Sequence, residues 1–167
     1  TKKENAFLLL FGDDIIISKQ SSIRYLMNKY FSTNCEAIIG AKQIAIKEIP
    51  KYGNIKLKKG TKDCVEAIIQ KPSSDQIVSN LALYSQLILT PKIFQYLNFK
   101  KTLAELDIGI ALNKLAHDTK VLIYEVKGPW CTIGDPLNYL KANITMTLFK
   151  NVSTKKDIIN YIRLLKF

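Results

Sequence analysis

Glycine and proline are scarce in this chain, 7 and 5 of 167 residues, which excludes collagen-like and low-complexity scaffolds. Cysteine occurs only at Cys35, Cys64 and Cys131. An odd number, wide spacing and no CxxC pair argue against both a disulfide framework and a zinc site, and reduced thiols fit a cytoplasmic protein. His117 is the only histidine, so a multi-histidine metal centre is excluded and any Ser/His/Asp relay has one possible base. Its place at a helix end predicts a solvated side chain. No apolar run reaches the roughly 18 residues of a membrane span. The polar, basic Thr1–Asn5 and the short apolar stretch after it lack a small-residue cleavage site, so a signal peptide is not expected.

Acidic residues are also few, 14 against 25 Lys and Arg, for a net charge of +11. Such an excess suits a polyanionic partner. The lysines, however, are scattered among many Ile and Asn, the pattern of a compositional bias. Only Lys56, Lys58, Lys59 and Lys62 cluster, around Gly60, where a hairpin or loop tip is expected. Nucleic-acid binding is therefore not the reading favoured here.

What is present is apolar: 47% of residues are hydrophobic and 23% charged, enough for one core and short for two domains. Leu8–Phe11 is a continuous apolar run ending at Gly12-Asp13-Asp14, the pattern of a buried strand that stops at a polar turn. Ile23, Leu26, Met27 and Tyr30 recur at helical spacing over Ser21–Tyr30. Strands are expected at Glu36–Ala41, Tyr52–Leu57, Val65–Ile69, Leu81–Leu89 and Val121–Val126. Thr90-Pro91 and Asp135-Pro136 place an N-cap before a proline at the first helical position. Thr154 with Asp157 reads as a capping box for a C-terminal helix, and Leu103–Ala116 as a helix. Strands alternating with helices predict an α/β fold with a mixed, mostly parallel sheet flanked by helices. No linker is visible, so residues 1–150 read as one α/β body and 151–167 as a terminal helix.

In such a sheet, ligands sit beyond the carboxyl ends of strands, which singles out Asp13, Lys71 and a Cys131–Gly134 turn. Asp13 can hold Mg²⁺ against a phosphate or serve as a turn residue. Lys71, before Pro72, can be a phosphate-binding point charge or a solvated side chain. Gly53 can allow close backbone approach to a ligand or supply a positive φ. Asn80 alone reads as a turn residue, and Glu105 as a solvated helix position.

The order of the segments carries more. GDDII at Asp13, PKYGNI at Pro50–Ile55, IQKP at Ile69–Pro72, SNLALYSQLILTP at Ser79–Pro91 and IGDPLNYLKA at Ile133–Ala142 together resemble bacterial UTP:glucose-1-phosphate uridylyltransferase, of the sugar nucleotidyltransferase fold. The likeness runs from about Ala6 to about Leu148 and implies the C-terminal portion of an incomplete Rossmann-like domain. It further implies a Mg²⁺-dependent reaction in which a glucose 1-phosphate oxygen attacks the α-phosphate of UTP and pyrophosphate leaves. By resemblance, Asp13 matches the first metal-binding aspartate and Lys71 the lysine at the sugar phosphate. Gly53 and Asn80 match sugar-pocket positions, and Glu105 the glutamate opening the EIQLTD segment.

The departures are specific. No counterpart of the family's GxGTR nucleotide loop is present. Thr132 stands where the second metal-binding aspartate is expected, and a neutral hydroxyl is a poor Mg²⁺ ligand. Gln70 replaces the glutamate of EKP, keeping a carbonyl acceptor for a sugar hydroxyl but no charge. EIQLTD has become Glu105-Leu106-Asp107-Ile108-Gly109-Ile110. The expectation is a divergent transferase-like chain that binds a sugar phosphate or nucleotide sugar and is inactive alone. A missing N-terminal half or a second copy would cover its strands. The alternative is a catalytically silent sugar-phosphate-binding or regulatory subunit.

Overall fold

The computed structural model describes residues 6–18, 21–97, 108–150 and 153–165. In chain order the elements are β1 (Phe7–Leu10), β2 (Asp14–Ile16), α1 (Ser22–Ser32), β3 (Ala37–Gln43), β4 (Gly53–Leu57), β5 (Val65–Gln70) and β6 (Leu81–Leu89). They continue with α2 (Ile108–Asp118), β7 (Val121–Glu125), β8 (Trp130–Thr132), α3 (Pro136–Lys150) and α4 (Ser153–Leu164). The chain packs as two compact units, one of Thr1–Phe11 with Ser21–Lys127 and one of Gly12–Gln20 with Gly128–Phe167.

The first unit is built on a sheet of order β5-β4-β6-β3-β7, with β1 also paired to β6. Side chains alternate across it as period-2 strands require. Ile38, Ile88 and Leu122 face Leu26 and Tyr30 of α1. Ala37, Ile39, Leu87, Leu89, Val121 and Ile123 face Leu112, Leu115 and Ala116 of α2. The apolar stripe of α1 is thus buried as its spacing predicts, and Ser21 caps the helix by accepting the Arg24 N–H at 3.3 Å.

A mixed sheet flanked by helices is present, but the expected parallel majority is not. Of the ladders described, β3 with β7 is parallel, whereas β1–β6, β3–β6, β4–β5 and β4–β6 are antiparallel. The reason is connection length. A parallel return needs a crossover of roughly a dozen residues or more, usually a helix. Residues 58–64 are instead a tight hairpin with Gly60 at φ 79°, and β5 returns to β6 through one 3₁₀ turn, Ser74–Gln76. Lys58, Lys59 and Lys62 do lie in that hairpin connection, and Lys56 lies in β4.

Two other expectations change locally, and a third is described only in part. Thr90-Pro91 starts only a five-residue 3₁₀ turn, Pro91–Gln95, without a side-chain cap. The C-terminal helix is described from Ser153, so the proposed cap Thr154 lies inside it. The helix expected over 103–116 is described from Ile108; residues 103–107 lie outside the described residues.

In the second unit β2 and β8 pair antiparallel, α3 packs on β8 and α4 on α3. The proposed 131–134 turn is therefore half strand, since Cys131 and Thr132 belong to β8. Gly128 has φ 104°, and a Cβ there would lie 2.4 Å from the Ile17 carbonyl oxygen, so the entry to β8 requires glycine. Asp135 caps α3 as expected, accepting the Asn138 N–H at 2.9 Å. That bond, opposed by slight desolvation, holds its carboxyl below the ordinary range.

Candidate functional site

Cross-strand register in the first unit assembles Gly53, Gln70 and Lys71. Gly53 pairs directly with Gln70 across β4 and β5. The Lys71 N–H extends that ladder by donating to the Tyr52 carbonyl at 3.0 Å. Lys71 is exposed and has φ 43°, making it the positive-φ non-glycine residue among those described. A residue before proline is normally extended, and a left-handed lysine costs of the order of 1 kcal/mol or more. The strand end therefore fixes the backbone beneath a free-standing ammonium group.

Gly53 does not use a positive φ; what closes on it is the protein's own packing. A Cβ at Gly53 would stand 3.2 Å from Leu83 Cβ and 3.3 Å from both terminal atoms of Gln70. Asn80 is exposed, just before β6, and its carbonyl accepts the Ile44 N–H at 3.0 Å. Glu105 lies outside the described residues.

The residue that sequence reasoning missed is Asn54, next to Gly53 and fully buried. Its amide nitrogen donates to the Ser79 carbonyl (3.0 Å), Ser79 Oγ (3.1 Å) and the Leu81 carbonyl (2.9 Å). Its carbonyl accepts the Val78 N–H at 2.8 Å. Ser79 Oγ in turn donates to the Ile55 carbonyl at 2.6 Å. One side chain thus satisfies three backbone groups of the 78–81 segment that presents Asn80. The signal was an amide in an otherwise apolar, strand-like run, masked by its place in a Tyr-Gly-Asn turn pattern.

The metal-side positions belong to the second unit. Asp13 is exposed, at the turn between β1 and β2. Its carbonyl accepts the Ile133 N–H at 2.8 Å, and its Oδ2 lies 3.9 Å from where a Gly134 Cβ would be. Asp13 is thereby placed one register step from Thr132, whose direct partner is Asp14. Asp14 accepts the Trp130 indole N–H at 2.8 Å, fixing its carboxylate. Among the described residues no group of three or more His, Cys, Asp or Glu could hold a metal ion. One exposed carboxylate suits Mg²⁺ only when substrate phosphates and water complete its shell.

His117 is solvated as expected, 87% exposed, with Nδ1 2.9 Å from Asp118 Oδ1. It lines a 260 Å³ surface cavity with Tyr96, Asn113, Lys114 and Asp118. Hydrogen bonds from His117 and then Tyr96 hold the Asp118 carboxyl below its ordinary range.

Comparison with known proteins supports the resemblance. A UTP–glucose-1-phosphate uridylyltransferase of Staphylococcus haemolyticus (strain JCSC1435) is 33% identical over 165 residues, 96% of this chain and 57% of that protein. The chain is similar to that uridylyltransferase over almost all of its own length. A second enzyme so named, from Staphylococcus saprophyticus, is 30% identical over 167 residues, again 57% of its length. Crystal structures of UDP-glucose pyrophosphorylase superpose with TM-scores of 0.79 for an apo form and 0.75 for a complex with UDP-glucose. They are 25% and 26% identical and align over 88% and 87% of this chain. No family model matches. The chain spans little more than half the length of the relatives it matches.

Proposed function

We propose that this chain is a C-terminal portion of a UDP-glucose-synthesising uridylyltransferase-like protein, carrying its sugar-phosphate side and inactive alone. The observation that carries this is the convergence of Gly53, Gln70 and Lys71 at one strand end, in a chain 33% identical to such an enzyme. Lys71 offers a point charge to the phosphate of glucose 1-phosphate. Gln70 offers a carboxamide to a sugar hydroxyl, and the glycine at 53 lets the ligand approach the backbone. By resemblance Asn80 is assigned to the same sugar pocket and Glu105 to substrate binding.

In the complete reaction an oxygen of glucose 1-phosphate forms a bond to the UTP α-phosphorus, and the bond to the departing pyrophosphate breaks. Catalysis of such a transfer is mainly alignment and neutralisation of charge. Lys71 does part of this by holding the attacking phosphate. Asp13 would hold Mg²⁺, which when bound supplies counter-charge to the phosphates; Thr132 adds only a neutral oxygen. A nucleotide loop would have to come from outside these 167 residues, from the rest of a longer protein or a second chain. The neutral residues at 70 and 132 also favour a silent, sugar-phosphate-binding or regulatory subunit. Three free thiols support a cytoplasmic setting, and no helix among the described residues is long and apolar enough to cross a membrane.

The test is pyrophosphate release from UTP and glucose 1-phosphate with Mg²⁺, run beside calorimetry with UDP-glucose. The expected outcome is no turnover by the 167-residue chain, with measurable heat of binding. Turnover by this chain alone would overturn its assignment as inactive, and absence of heat would overturn the sugar-side assignment.

A further inference from the structure

The Gln70 side chain lies in a slot made by two missing side chains. A Cβ on Gly109 would fall 1.1 Å from Gln70 Nε2 and 2.3 Å from Cδ, a complete overlap, while a Cβ on Gly53 would touch the same carboxamide at 3.3 Å. Gly109 is buried in the first turn of α2, and Gln70 ends β5. The two elements are locked in register one layer deeper, where Asn113 Oδ1 accepts the Ile68 N–H at 2.8 Å. From Gly109 to Asn113 the helix rises about 6 Å, and from Ile68 to Gln70 the strand rises about 6.6 Å. The Asn113–Ile68 bond therefore sets Gly109 directly against Gln70.

The two positions also depart together from the family pattern: Gln70 stands in place of the EKP glutamate, and Gly109 in place of the threonine of EIQLTD. A side chain at 109 and the present position of the Gln70 carboxamide exclude each other.

We propose that Gly109 is a positioning residue for Gln70, the absent side chain that lets the carboxamide lie over α2 and face a sugar hydroxyl; this rests on the sugar-phosphate reading above. The obstructing atoms are the far end of a flexible side chain, so a methyl group at 109 moves Gln70 and leaves the fold in place. Alanine is moreover a better helix former than glycine. Gly109→Ala is expected to melt no lower than wild type and to bind glucose 1-phosphate several-fold more weakly, matching Gln70→Ala. The Gln70→Ala/Gly109→Ala double variant should lose nothing further, since the second change finds no carboxamide to displace.

The experiment pairs calorimetry of glucose 1-phosphate on these variants with ¹⁵N-edited spectra of the ligand-free chain, in which the Gln70 side-chain amide is assigned by its disappearance in Gln70→Ala. A clear shift of that amide in Gly109→Ala, with non-additive affinity losses, supports the proposal. An unmoved amide, wild-type affinity in Gly109→Ala, or losses that multiply would overturn it. If wild type binds no glucose 1-phosphate while the amide shifts, the sugar-phosphate reading fails and the structural coupling alone survives.

Discussion

Asn54→Leu is expected to lower the unfolding free energy by about 3 kcal/mol, roughly a hundredfold in the folding equilibrium, because it strands several buried polar groups at once. Leucine keeps the branched shape and the number of side-chain heavy atoms and leaves no cavity, so the main loss is one of hydrogen bonding. The Val78 N–H and the Ser79 and Leu81 carbonyls lose the partner described above, and each unsatisfied buried group costs of the order of 1–3 kcal/mol. Local water entry relieves part of this, which keeps the sum near the lower end. Equilibrium urea denaturation should show a lower midpoint with an unchanged slope. A loss below about 1 kcal/mol would show that the 78–81 segment is held by other contacts. The same variant should weaken any ligand that touches Asn80, since that residue rides on the segment Asn54 secures.

Thr132→Asp is expected to tighten Mg²⁺ binding by about tenfold or more, some 1.4 kcal/mol. The substituted side chain stands opposite Asp14 and one register step from Asp13, so a carboxylate there adds a hard, charged oxygen where only a hydroxyl now stands. Without metal the added charge faces the Asp14 carboxylate across the strand pair and destabilises the β2–β8 ladder. Mg²⁺ should therefore raise the melting temperature of Thr132→Asp more than that of wild type, and Thr132→Asn, which adds no charge, should not share the gain. Equal Mg²⁺ affinity in all three proteins would remove the β2–β8 end as a metal position.

The sheet of the first unit was legible because β1, β3 and β6 are long or continuously apolar, and α1 because its apolar residues recur at helical spacing. Strand direction was not, because the alternation of strands and helices was extended to β4, β5 and β6, between which no crossover helix exists. The β2–β8 pair escaped detection for a different reason. Each strand is three residues long, with the polar pair Asp14 and Thr132 at one end, and their pairing joins positions more than a hundred residues apart.

Within the candidate site, the order of motifs brought out Gly53, Gln70, Lys71 and Asp13. Their register across β4 and β5 is what turns the first three into a cluster. Asn54 and Gly109 were not legible, since one is defined by the backbone groups it satisfies and the other by the space it leaves. Neither property exists until distant segments meet. The +11 charge found no site of its own; the lysine with a structural argument is Lys71, held in a left-handed conformation at a strand end.

The central claim is tested most directly by calorimetric titration of glucose 1-phosphate into the 167-residue chain and into Lys71→Ala. The account predicts saturable binding to wild type and about tenfold weaker binding to the variant, some 1.4 kcal/mol. No binding to wild type, or equal affinities in the two proteins, would contradict it.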